Sequence, residues 1–182
     1  IYQELGFRTL LDKIAPQAEE PQEEIEETIV TELTEGQLTD NMAIHIEMMD
    51  ENYLRADILG ISLANEDGTL FLPLEVAQQS EVFKKWLLDG DNKKYASDSK
   101  AALASMARYG FHIEGIEFDL LLASYIVNPA TTYTDVASIT REFGYMEVQQ
   151  DETVYGKGAK KAVPAEEIIA EHASRKAQSI WK

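Results

Sequence analysis

Residues 42–74 carry their apolar side chains in three short runs, MAIHIEM, ADILGISLA and TLFLPL, separated by small polar breaks. Runs of this length, bounded by turn residues, predict three consecutive strands. Asp50-Glu51-Asn52 opens the first link, and Asn65-Glu66-Asp67-Gly68 closes a tight hairpin between the other two. An acidic residue followed by Gly between apolar runs is a strong hairpin signal. His45-Ile46-Glu47, at the centre of the first run, is the first place to look for chemistry.

On either side the period changes. Residues 1–14 read as a helix with Tyr2, Leu5, Phe7, Leu10, Leu11 and Ile14 as its apolar set, and residues 28–33 (TIVTEL) as an edge strand. After the three strands, residues 75–89 predict one helix with Val76, Val82, Phe83, Trp86 and Leu87 on its inner side, and residues 94–97 a short strand. Asp98 or Ser99 then caps a helix to Tyr109, with Gly110 just past its end. Residues 111–116 form an irregular or extended link. Residues 118–127 (FDLLLASYIV) predict a buried helix stopped by Asn128-Pro129. A helix over 133–143, capped by Thr132 or Thr134, is followed by a long irregular loop over 144–163. Pro164 starts the last helix, which brings Ile168, Ile169, His172, Ala173, Lys176 and Ile180 onto related faces. A meander followed by a crossover helix and a further strand implies an α/β fold with a mixed sheet and helices on both faces.

Composition adds limits. A chain of 182 residues that is 45% hydrophobic forms one core-bearing domain. There is no apolar run long enough to span a membrane. The absence of cysteine excludes disulfides and thiolate metal sites and fits a reducing cytoplasm. A formal net charge of −17 repels nucleic acid at long range, so DNA contact requires a local basic patch or a partner domain. Residues 15–27 hold two prolines and six glutamates without a base, the composition of a solvated linker. The chain opens without Met inside one helical pattern and stops inside another, so it is expected to be an excised piece.

Several blocks agree in order and spacing with one family: AIHIEMMDEN…ADILGISLA, SDSKAALASMARYGFHIEGIEFDLLLASYIVNP, VYGKGAKKAVPAEEIIAEHASRKAQSIW and the opening ELGFRTLLDKI. Together they resemble the 3′–5′ exonuclease-like domain of bacterial DNA polymerase I, family A, over essentially the whole chain. The resemblance implies a ribonuclease H-like fold. It also implies that residues 1–14 continue from a 5′-nuclease domain, 15–27 form an acidic linker, and 28–182 form the exonuclease-like domain ahead of a polymerase domain.

Active members of that family use four carboxylates to hold two divalent ions about 3.5–4 Å apart around an in-line phosphoryl displacement. Carried over position by position, the first Asp falls on His45, the Glu is kept as Glu47, the second-motif Asp falls on Ala102, and the last motif's Tyr and Asp fall on His172 and Lys176. One carboxylate of four cannot hold two dications so close. The resemblance therefore implies a degenerate site, a domain kept as a platform for the polymerase domain in DNA replication and repair, and proofreading lost. No cofactor is implied in this domain. Mg²⁺ and DNA belong to the parent polymerase, and the chain is expected to be a monomer.

Matched loss of negative and gain of positive charge predicts an ion pair between Glu47 and Lys176. His45, Glu47 and His172 could instead hold zinc. Lys157, Lys160 and Lys161, in the glycine-rich stretch YGKGAKKAVP, could touch a phosphate backbone, but lack the spacing of a phosphate-binding loop, and such a run is more often a solvated surface loop. Trp86, Phe118, Tyr125 and Trp181 read as core or interdomain anchors. Two other functions stay open: a metal-dependent 3′–5′ exonuclease with altered ligands, and an acidic protein-interaction module.

Overall fold

A computed structural model describes residues 27–30, 35–49, 52–130, 132–133, 135–144, 148–156 and 166–181. The helix expected over 1–14, the linker up to residue 26, and Lys157, Lys160 and Lys161 lie outside the described residues. The three expected strands are present as β2 (Met42–Met48), β3 (Ile58–Asn65) and β4 (Gly68–Pro73), joined as an antiparallel meander. β1 (Glu27–Ile29) adds parallel to β4 at one edge, and β5 (Lys94–Ala96) and β6 (Ile116–Asp119) extend the other side in parallel. The sheet order is β1-β4-β3-β2-β5-β6. At the β3–β4 turn the Asn65 side chain accepts from Asp67 N at 2.9 Å, and Gly68 takes a φ of 139°.

Seven α-helices lie among the described residues: α1 (Leu74–Gln79), α2 (Glu81–Leu88), α3 (Ser99–Arg108), α4 (Leu120–Val127), α5 (Val136–Glu142), α6 (Asp151–Tyr155) and α7 (Glu166–Trp181). None is long and apolar enough to cross a membrane. Strand alternation divides the core. Met42, Ile44 and Ile46 of β2 and Ile61 and Leu63 of β3 pack with Phe83, Trp86 and Leu87 of α2 and Met106 of α3. On the other face, Ala43 and Ala64 meet Ala177 and Ile180 of α7 and Val136 and Ile139 of α5.

That second face is built for close approach. Ser62 of β3 is fully buried and donates to Ala173 O of α7 at 2.7 Å. Ala170, Ala173 and Ala177 line the facing side of α7 and are also fully buried. Gly60 leaves room for Phe71, since a Cβ there would lie 2.3 Å from the ring and 2.8 Å from Leu72 O. Small residues on both sides let α7 lie low across the sheet, which carries its polar groups down to β2.

Five expectations need correction. The helix expected over 75–89 is two helices, because Ser80 turns extended (ψ 108°) and its side chain caps α2 by accepting from Phe83 N. The helix expected from residue 118 starts at Leu120. Asp119 caps it, accepting from Leu122 N at 3.0 Å, which leaves 116–119 free to pair with β5. Nor is α4 buried: Leu122, Ile126 and Val127 are 57%, 82% and 67% exposed, and Tyr125 and Phe118 are also open to solvent. The helix expected over 133–143 begins at Val136, capped by Asp135 through Ser138 N at 2.9 Å. The loop expected over 144–163 contains α6.

Trp86 is a core residue, its indole N–H donating to Thr39 O at 2.9 Å. Beside it Lys94 is fully buried, its ammonium 4.6 Å from the Trp86 ring centroid. Burial pulls Lys94 down to about 8, so it is charged at neutral pH. Its Nζ donates to the carbonyls of Asp89 (3.0 Å), Asn92 (2.7 Å) and Glu114 (2.8 Å), which uses all three ammonium hydrogens.

Candidate functional site

The α7 face of β2 presents His45 and Glu47, spaced two apart and therefore on one side of the sheet. A bulge follows between Glu47 and Met48. Across from them α7 presents His172 and Lys176, one helical turn apart. Ala102, in the second turn of α3, and Ser97, just after β5, complete the near wall. His45, Glu47, Ser97, Ala102 and Lys176, with Asp98, Asp135 and Asp151, line a cleft of about 370 Å³, in which Lys176 is the one Lys or Arg side chain among the described residues. His172 borders it from the adjoining turn of α7.

Lys176 Nζ donates to Glu47 Oε1 at 3.1 Å, forming the ion pair that the charge exchange predicts. It also donates to Asp151 Oδ1 at 2.6 Å. Glu47 is 1% exposed and Lys176 5%. Burial opposes both charges, yet the pair reverses that effect. Lys176 is raised above the ordinary lysine range by Glu47 and Asp151. Burial would push the Glu47 carboxyl up, but the Lys176 ammonium and the His45 hydrogen bond bring it down to about 2. Asp151 is likewise held well below the usual carboxylate range, against burial, by His172 and Lys176.

His45 Nε2 lies 3.1 Å from Glu47 Oε2 and its Nδ1 3.2 Å from Ser97 Oγ. Burial lowers its pKa, so the ring is neutral at pH 7. One tautomer satisfies both contacts: Nε2–H donates to the carboxylate and Nδ1 accepts from the Ser97 hydroxyl. His172 Nε2 donates to Asp151 Oδ1 at 2.7 Å. Its ring meets Tyr155 edge-on at 5.6 Å. The Tyr155 hydroxyl is buried and makes no hydrogen bond of standard geometry. Burial first, and the negative charge of Glu47 second, push it far above its ordinary range.

All five matched positions thus converge, and so does a residue outside them. Asp151 opens α6 inside a segment that the polar, turn-rich sequence marks as loop, and lies 25 residues from Lys176. The signal that could have found it is charge: a buried lysine beside one buried carboxylate invites a second acid. His45, Glu47 and His172 could hold zinc, but the group whose ligand atoms lie within metal-binding reach of one another is Glu47, Asp151 and His172. His45 is committed to one Glu47 oxygen, while Glu47, Asp151 and His172 bring ligand atoms within 4.8 Å of one another. The residues do not fit two divalent ions: of the four carboxylates lining the cleft, Asp98 and Asp135 cap helices by accepting from Ala101 N and Ser138 N, which leaves Glu47 and Asp151; Ala102 offers no ligand, and an ammonium stands between those two acids. A second cavity of about 750 Å³ is lined by Tyr95, Phe118, Leu120, Val127, Phe143 and Trp181 among others, with no charged side chain among the described residues that line it.

The chain resembles known proteins over its full length. It is 43% identical to DNA polymerase I of Bacillus subtilis (strain 168) over 185 residues, covering 99% of this chain and 21% of that protein. Identity to DNA polymerase I of Geobacillus stearothermophilus is also 43%, over 100% of this chain and 21% of the relative. The chain therefore spans about a fifth of the length of the relatives it matches. Among solved structures, Brucella melitensis NrnC superposes with a TM-score of 0.63 at 19% identity, over 85% of this chain and 74% of that one. The polymerase domain of Pol1 from M. smegmatis, solved with DNA primer-template and dNTP, gives 0.60 at 15% identity, over 80% of this chain and 23% of that one. These two likenesses speak to the fold. The family model described as DNA polymerase I, ribonuclease H-like domain, matches residues 44–182, the span that holds the meander, the cleft and α7. The chain belongs to this family of ribonuclease H-like domains of DNA polymerase I.

Proposed function

We propose that this chain is a 3′–5′ exonuclease-like domain whose cleavage activity is lost and whose role is to support the polymerase domain of a DNA polymerase I in replication and repair. One observation carries the reading: Lys176 Nζ, 3.1 Å from Glu47 and 2.6 Å from Asp151, stands where a cation between these acids would stand. A tethered ammonium neutralises charge and fixes geometry. It has no open coordination position, so it cannot ionise a water or polarise a phosphoryl oxygen as a metal ion does. Ala102 removes a further ligand.

In this reading the 1–14 segment continues from a 5′-nuclease domain, and a polymerase domain follows α7. DNA and Mg²⁺ engage the parent protein at its polymerase domain, with the chain monomeric. The identity to two Bacillus-type polymerases and the one-fifth coverage support that arrangement. The test is degradation of a 3′-labelled single-stranded oligonucleotide with Mg²⁺ or Mn²⁺. The reading expects no metal-dependent release above a Glu47→Ala control. Metal-dependent shortening that Glu47→Ala abolishes would favour an exonuclease with altered ligands.

A further inference from the structure

Helix α4 turns its apolar side chains away from its own domain. Its eight residues, LLLASYIV, carry no charge in a chain that is 27% charged, and it alone of the described α-helices carries none. Ser124 faces inward and is fully buried, its hydroxyl donating to Leu121 O at 2.7 Å. Leu122, Tyr125 and Ile126 stand out into solvent, at the three- and four-residue spacing that puts them on one stripe. An apolar stripe at that spacing is the face a helix buries. Beside it, Leu120, Ala123 and Val127 of the same helix line the uncharged cavity of about 750 Å³. Its other walls include Phe143, just past α5, and the Tyr95 and Trp181 rings, whose centroids are 5.9 Å apart. Val127 and Phe143 are more than half exposed. Contiguous apolar surface of this kind marks a contact with another body.

We propose that this face of α4, with Phe143 and Trp181, is the seat of the polymerase domain, which covers it with uncharged apolar side chains and so fixes the orientation of the two domains. This rests on the reading that a polymerase domain follows α7, and it adds where the two meet. Position favours that occupant. Trp181 ends α7 and its side chain lines the cavity, so a domain joined there is held beside the face by the chain itself. A short tether gives an effective concentration in the millimolar range, so the contact forms without the affinity that a free partner would need. Length points the same way, since about four fifths of each matched relative lies outside the span it shares with this chain. Charge argues against DNA or a basic protein as the cover. A chain of net charge −17 that keeps this helix uncharged offers such partners no electrostatic target there. Polar contacts leave joined domains free to move, whereas an apolar contact of this kind holds them in one arrangement.

The test places a benzophenone-bearing phenylalanine at position 126 of the full-length parent protein, and separately at position 122, irradiates each and identifies the joined peptides by mass spectrometry. Both side chains point into solvent in this domain, so the fold should survive the change, which circular dichroism checks. The proposal expects an intramolecular product that joins α4 to a peptide of the polymerase domain. Adding Phe143→Glu, which sets a charge against the apolar cover, should lower the yield at least about tenfold, because a charge buried without a partner is costly. A product joining two copies of the protein, capture of a different protein alone, no product from either position, or a yield indifferent to Phe143→Glu would overturn it. Misfolding of both labelled proteins would overturn it too, since these side chains would then belong to a core already formed. Primer extension and 3′–5′ degradation by the same preparations keep the two readings apart. A failed crosslink in a parent that extends primers without degrading them sinks the contact alone. Metal-dependent degradation that Glu47→Ala abolishes sinks the inactive reading and leaves the contact standing.

Discussion

Lys176 on the last helix and Glu47 on the second strand are 129 residues apart in sequence and 3.1 Å apart in space, both nearly inaccessible to water. Taking two ions out of water costs several kcal/mol each, and the attraction between them offsets this only while both are present. Lys176→Met therefore leaves Glu47 and Asp151 facing each other. The expected loss is about 3–5 kcal/mol, or roughly 10 °C in melting temperature for a domain of this size. Chemical denaturation of the variant beside the wild type measures it. A loss below about 1 kcal/mol would mean that the pair is not holding α7 to the sheet.

Acid should act on the same pair. The Glu47 carboxyl falls from 4.5 to about 2 on folding. A lowered carboxylate pKa contributes stability that is complete above the unfolded value and lost as pH falls through the folded value. The shift is on the order of 3 kcal/mol, and it disappears between about pH 4.5 and 2. Glu47→Gln should be less stable at pH 7 and should show a shallower decline across that window. Denaturant midpoints collected from pH 7 down to 2 for both proteins give the comparison.

Gly60 faces Phe71 on the strand beside Glu47, with Gly60 and Glu47 paired across the ladder. A methyl group there meets both the ring and the Leu72 carbonyl, and backbone cannot yield as a side chain can. Gly60→Ala should cost about 1–3 kcal/mol by overpacking, despite alanine's better fit to a strand. Equilibrium unfolding tests it, and a neutral result would mean that Phe71 has room to move.

Lys94 gives a prediction away from the cleft. Its ammonium ties three carbonyls from two loops to the end of β5. Lys94→Met keeps the apolar stem but leaves those carbonyls without their donor, at a cost of about 3 kcal/mol. Amide exchange in 89–92 and 114–116 should rise with it. Unchanged exchange there would show that the loops hold without the ammonium.

The strands were legible because apolar runs of six to nine residues broken by Asn-Glu-Asp-Gly leave few other structures open. The pairing of Glu47 with Lys176 was legible through matched charge exchange at positions fixed by resemblance. Asp151 was not, because α6 is five residues long and its sequence, DETVY, has no helical apolar stripe. It holds its place through contacts with α7 rather than through local preference. The exposure of α4 was also hidden. Its eight residues are apolar nearly all round, a pattern that predicts burial, whereas Leu120 and Ser124 are its buried residues.

The central claim is that the protein's own ammonium holds the cation position between Glu47 and Asp151. Its most direct test is a crystal structure of the wild-type chain grown in excess Mn²⁺, with data collected for anomalous scattering. The account predicts Lys176 Nζ bonded to both carboxylates and no anomalous peak between them. A manganese peak there, with Lys176 swung out of the cleft, would contradict it.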